Sequence, residues 1–276
     1  LQKNPNDLIA TLFNRTGLQT FELKLAKEDL AFLDSQPAAE KYVRGTFIYN
    51  KTTLDNVGIR YKGSAGAWYG CLETPKDNPF DFSGPKKCPN LNLKVSFNKY
   101  NPDGRFLGVK KLQFHAMNSD KSMMREKLSY WFFNQMGVPA PRTVFVRLKI
   151  NGSYSGVYLM VENIDSAFVN SRFSDGEGTL FKEAWPSAHP EMATLKESHF
   201  RNQRRTNKRK QDTFSSVFGF AKAVQSSGDE QAAAIQQFWS LEHLGGFMAV
   251  DRAIANDDGP MHFYCGEYKG KRYCGN

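Results

Sequence analysis

The chain holds no apolar run approaching the roughly 20 residues that a membrane-spanning helix needs, so no membrane span is expected. Its first residues, LQKNPNDLIA, lack a signal-peptide pattern. A targeting segment is therefore expected to have been removed or never present, and a start at Leu reads as a mature or trimmed product. No internal repeat is visible, which sets aside solenoids and propellers. None of the four cysteines falls in a C-x-x-C pair, which argues against a zinc or redox motif. A full G-x-G-x-x-G loop is also missing.

What is there points to a folded chain. With 276 residues and 40% hydrophobic content, it can bury a substantial core as one large domain or two lobes. Aromatic residues at 13% argue against disorder. Thirty-seven basic residues against 28 acidic ones leave a net charge of +9. Much of the excess lies in RNQRRTNKRK (201–210). That run reads either as a phosphate or polyanion patch or as a solvated, mobile basic loop. No aromatic residue interleaves it for base stacking, so nucleic acid is not the expected partner.

The cysteines form two local couples, Cys71 with Cys88 and Cys265 with Cys274. Each couple flanks a polar, turn-rich stretch, and two disulfides are expected. Asn14, Asn50 and Asn151 each open an N-x-S/T glycosylation triplet. Together these features favour a secreted glycoprotein over a reduced cytosolic protein.

Strands are expected in GTFIYN, VGIRYKG, NLKVSF and KKLQFHA, where apolar and polar residues alternate. FELKLAKEDLAFLD reads as a strand running into a helix. A helix is expected across NSDKSMMREKLSYWFFNQMGVPAP, capped by Asn118, Asp120 or Ser122 and ended by Gly137. Its apolar residues fall on two faces, so it is expected to be sandwiched, with Glu126 a partly buried carboxylate needing a cation. TVFVRLKINGSYSGVYLMVEN reads as a hairpin turning at Asn151-Gly152. Beyond about residue 167 the patterns become helical, ending in the carboxylate-dense NDDGP. The resulting expectation is an α+β, bilobal fold with a strand-rich N-lobe and a helical C-lobe. Its expected divisions are an N-terminal extension over 1–20, the N-lobe over 21–165, and the C-lobe over 166–276, the last expected to be incomplete at its end.

Lys94 sits mid-strand on a polar face, either solvated or aimed into a cleft to hold an anion. Phosphoryl transfer in a bilobal kinase uses a strand lysine on the phosphates, a helix glutamate, a hinge and a loop aspartate, in that order. Lys94, Glu126, the VEN segment with Glu162 at its middle, and NDDGP follow that order. A solvated lysine, a capping glutamate and a plain helix-ending turn fit the same residues.

The segments VGIRYKGSAG, NLKVSFNK, NSDKSMMREKLSYWFFNQMGVPAPR, GSYSGVYLMVENID and ANDDGPMHFY, in this order, resemble the CotH family of spore-coat protein kinases. The resemblance implies an atypical protein-kinase-like fold and transfer of the ATP γ-phosphate to protein Ser/Thr with Mg²⁺ or Mn²⁺. It matches Lys94 to the phosphate-binding lysine and Glu126 to its helix partner. Glu162 falls where the strand passes into the interlobe hinge, so that the backbone of residues 160 to 163 would meet the adenine, and Asp258 falls in the place of the catalytic base. Arg60, Lys62 and the small residues of KGSAG would help cover the phosphates. The family continues into a W-D-x-D segment whose aspartate holds the metal, whereas this sequence ends at CGN. A catalytically inactive, kinase-like binding module or adhesin is the alternative.

Overall fold

The computed structural model describes residues 8–182, 198–201, 203–208, 214–225, 228–256, 264–268 and 271–275. The chain divides into two compact units, Leu1–Leu128 with Pro141–Asn163, and Ser129–Ala140 with Ile164–Asn276.

In the first unit, α1 (Leu8–Phe13) precedes β1 (Gln19–Leu25) and α2 (Lys27–Ser35). A single 3-10 turn follows, then β2 (Val43–Tyr49), β3 (Thr52–Tyr61), the short α3 (Ala65–Trp68), β4 (Leu93–Ser96) and β5 (Lys111–His115). Helix α4 (Arg125–Gln135) begins here, and β6 (Thr143–Ile150) and β7 (Ser153–Glu162) complete the unit.

The strands form a closed barrel in the order β1-β2-β3-β4-β5-β7-β6. Parallel pairing of β1 with β6, from Gln19 opposite Val146 to Leu23 opposite Ile150, shuts it. The β6–β7 hairpin turns at Asn151 and Gly152, both left-handed, as the Asn-Gly signal predicts.

This overturns the bilobal, kinase-like α+β expectation. The alternation that suggested a strand-rich N-lobe is the same alternation a barrel needs, and only backbone pairing between distant strands shows the closure. Closure leaves no edge strand and encloses a core of aromatic rings. Phe21 stacks on Tyr49 at 4.4 Å between ring centres, and Phe47 meets Phe97 and Phe106 edge-on at 5.0 and 4.9 Å. Gly45 lies where β2 bulges against β3, and a Cβ there would fall 2.5 Å from the Ile59 side chain. Only glycine permits that approach.

Among the described residues the second unit does not form the helical C-lobe expected either. Its helices are short: α5 (Ser166–Arg172), α6 (Ser198–Arg201), α7 (Ser215–Gln225), α8 (Asp229–Gln236) and α9 (Leu241–Ala253). They are followed by a two-stranded hairpin of β8 (Tyr264–Tyr268) and β9 (Lys271–Gly275). Phe200, Phe214 and Ala221 make a small cluster there. Arg204 is buried beside it, its guanidinium 4.8 Å from the Phe214 ring centre and donating to the Lys208 carbonyl. The basic run is thus partly built into this unit, and Arg209 and Lys210 lie outside the described residues.

Cys71 and Cys88 are joined in a disulfide. In the β8–β9 register Cys265 stands opposite Cys274, but their side chains lie outside the described residues.

Candidate functional site

On β3, β4 and β5 the residues that face away from the barrel interior form a ladder of cations. Register sets Arg60 opposite Lys94, Lys94 opposite Gln113, and Ser96 opposite Lys111. Their neighbours Ile59, Val95 and Leu112 are completely buried on the inner face. The pleat therefore has no alternative direction for the polar set.

Lys94 is crowded by the other cations. Burial first, then the charges of Lys111, Lys62 and Arg60, push its ammonium down to about 7, with Glu40 acting in the opposite sense. It has no hydrogen-bond or ion-pair partner among the described residues. Glu40 is the nearby acid. Held left-handed at φ 51°, it accepts from Arg60 Nη1 at 2.5 Å and from the amide of Gly63 at 2.9 Å. Arg60 also lies over the Tyr42 ring at 5.2 Å.

Glu126 takes a different partner from the one expected. Its Oε1 is 2.7 Å from His115 Nδ1, and His115 Nε2 is 2.9 Å from Lys62 Nζ. No ion pair links Glu126 to Lys94 among the described residues. Glu126 sits in the first turn of α4, which lies against the outer face of β5 and β6 there. Lys127 donates to the Thr143 carbonyl at 3.1 Å and lies over the Phe145 ring. Met124, Leu128 and Trp131, on the other apolar stripe of this helix, are exposed.

A pocket of about 380 Å³ opens beside this chain of contacts, lined among others by Gly66, Asn92, His115, Asn118, Asp120 and Glu126. Asp120 shapes its rim by accepting from the amides of Ser122 and Arg125. The disulfide supports its wall: Asn118 Nδ2 donates to Cys71 Sγ at 3.2 Å and to the Asn90 carbonyl at 2.8 Å. Lys86, within the disulfide loop, reaches Asp34 of α2 at 3.2 Å, and Tyr61 donates to the same carboxylate at 2.7 Å.

Glu162 is brought to neither the cations nor the pocket. It pairs across the sheet with Leu112 and so turns into the barrel, where it is buried. Arg142 donates to it from the backbone amide at 3.0 Å, from Nε at 3.1 Å and from Nη2 at 2.6 Å. The backbone of β7 is flanked by β5 on one side and β6 on the other. Asp258 lies outside the described residues. Asn256, just before it, donates to the fully buried Asp251 at 2.7 Å.

His115, Lys111 and Glu40 are absent from the sequence reading of the site. Alternation within KKLQFHA already placed Lys111, Gln113 and His115 on one face, the side that proves to carry the cations. Glu40 carried no signal, because its contacts depend on a left-handed turn far from the strand it meets.

Comparison with known proteins agrees with this arrangement of motifs. Over 164 residues the chain is 30% identical to inner spore coat protein H of Bacillus subtilis (strain 168), covering 59% of this chain and 39% of that protein. Over 57 residues it is 46% identical to the inner spore coat protein H-like protein of the same organism, covering 21% of this chain and 19% of the relative. The matches thus span less than half the length of either relative. The profile of the family described as CotH kinase protein matches residues 59–271, from the strand that carries Arg60 to the final hairpin. Over most of its length, then, this chain belongs to the CotH kinase protein family.

Proposed function

We infer that the outer face of β3, β4 and β5 binds the phosphates of ATP, and that the chain transfers the γ-phosphate to protein Ser/Thr. The observation that carries this reading is Lys94, an ammonium crowded by Arg60, Lys62 and Lys111 and lacking an anion of its own among the described residues. A bound polyphosphate would relieve that repulsion and hold the lysine charged. Arg60 and Lys62 would share the phosphate oxygens, with Arg60 exchanging Glu40 for them.

In the transfer, a Ser or Thr hydroxyl oxygen attacks the γ-phosphorus and the bond to the β,γ-bridging oxygen breaks. ADP leaves, and the hydroxyl proton passes to Asp258 as base. The cations stabilise the charge spread over the phosphoryl oxygens. Mg²⁺ or Mn²⁺ accompanies ATP in this reading. Among the described residues no group of three or more His, Cys, Asp or Glu side chains could hold a metal. Glu162 supports the reading only indirectly, by fixing the end of β7 through Arg142. The Cys71–Cys88 disulfide and the exposure of Asn14, Asn50 and Asn151 support passage through the secretory route with glycans at these positions.

A second reading, a binding module without transfer, is favoured by one observation: Glu126 engages His115 rather than the phosphate-side Lys94. Calorimetry with ATP and Mg²⁺, alongside transfer of labelled γ-phosphate to protein, separates the two. Lys94→Met should weaken ATP at least about tenfold, near 1.4 kcal/mol. Asp258→Asn should abolish transfer and leave ATP affinity within about twofold. ATP binding without transfer in the unaltered chain supports the module. An unaltered chain that ignores ATP overturns the transfer reading.

A further inference from the structure

The contact between Lys62, His115 and Glu126 is a continuous chain of two short hydrogen bonds, 2.9 Å and 2.7 Å, on opposite nitrogens of one ring. An ammonium has three donors and no acceptor, so Lys62 must donate to the Nε2 lone pair. The remaining ring proton is then on Nδ1, which donates to the Glu126 carboxylate. His115 is therefore neutral in this arrangement, in the Nδ1–H tautomer, with its orientation fixed from both sides. Its side chain is 14% exposed and that of Glu126 29%.

A protonated ring has no lone pair for Lys62. It would pair more strongly with Glu126 while facing a second cation across the former hydrogen bond. The contact with Lys62 and the protonation of His115 are mutually exclusive. The other groups facing the ring do not relieve this conflict. Asn92, ahead of β4, spends its Oδ1 on the Ala116 amide. Asp120 and Arg125, across the pocket, lie 3.8 Å from each other.

We propose that His115 is a positioning residue through which Glu126 holds Lys62 at the phosphate face, and that the hold is released when the ring takes up a proton. The proposal rests on the reading of that face as a phosphate site. It differs from a direct lysine–glutamate pair in one physical respect: a titrating ring stands between the charges. The neutral ring passes the carboxylate's pull to the ammonium, and the protonated ring breaks that link.

The two amide substitutions divide the ring's functions. Gln can place a polar atom near the Nε2 position and so keep the contact to Lys62, whereas Asn can reach only the Nδ1 position and keep the contact to Glu126. Calorimetry with ATP and Mg²⁺ from pH 5.5 to 8 should show wild-type affinity falling on the acid side by more than in His115→Gln. At pH 7.5, His115→Phe should weaken ATP about as much as Lys62→Met, and the double variant no further than either alone. Additive losses, or an unchanged pH profile in His115→Gln, would overturn the proposal. Nitrogen-detected NMR of the ring in the ligand-free chain supplies an independent check. It should show Nδ1–H at neutral pH in the wild type and lose that preference in Lys62→Met. An Nε2–H ring in the wild type sinks the link even where ATP binds. A chain that shows the Nδ1–H ring but ignores ATP retains the link and loses the phosphate reading instead.

Discussion

The two faces of β3, β4 and β5 carry opposite chemistries one residue apart. Inward, Ile59, Val95 and Leu112 are completely buried among rings that touch face and edge. Outward, Arg60, Lys94 and Lys111 repel one another, with Glu40 as the counterweight near Lys94. The inner face is satisfied by what the barrel supplies. The outer face is left with surplus charge, which makes it the place for a ligand.

The comparison breaks hardest from the inside. Phe47 is fully buried and meets Phe21, Phe97 and Phe106. Phe47→Ala should cost about 3–5 kcal/mol, read as a lowered midpoint in urea. A loss near that of a surface substitution would mean the barrel is not packed as described. Next comes Glu162, the charged exception at the inner end. Glu162→Gln removes the charge that compensates Arg142 and should cost about 3 kcal/mol in the same measurement. An effect below about 1 kcal/mol would mean that water reaches the pair.

The smallest effect should have the opposite sign. The folded pKa of Lys94 is depressed to about 7, below the roughly 10.4 of an unfolded lysine. The unfolded chain therefore binds more protons between these values, and stability rises with pH across that window. The penalty is complete below about 7 and absent above about 10. Lys94→Met should thus stabilise the ligand-free chain at pH 7 by about 1–2 kcal/mol, with the gain vanishing near pH 10. Thermal unfolding at the two pH values checks it. A destabilising substitution at pH 7 would place an undetected anion beside the lysine.

What the sequence disclosed divides along the same line. Strand positions, the Asn151-Gly152 turn, the helix end before Gly137 and the Cys71–Cys88 bond follow from local pattern, because alternation, turn residues and short loops act over a few residues. The ladder of Arg60 and Lys94 was half legible: each residue's face was readable, but not which strand lay beside it. Helix α4 begins at Arg125, later than the earliest capping residue proposed, because Met117 and Met123 take left-handed conformations ahead of it. His115 as the partner of Glu126, and the inward turn of Glu162 toward Arg142, depend on register between distant strands. No local window contains that information, and barrel closure was invisible for the same reason.

The parallel seam between β1 and β6 has a consequence for how this chain is made. Gln19 leaves a ribosome long before Val146, its partner in the finished sheet. Until β6 arrives, the ladder edge of β1 that faces away from β2 has no strand to pair with. Such long-range closure slows folding, since the entropy of a large loop is lost before any contact repays it. The unfinished sheet also offers an open edge to other nascent chains. The barrel is thus a structure that synthesis can complete only late, with one edge of its first strand open until β6 has been made.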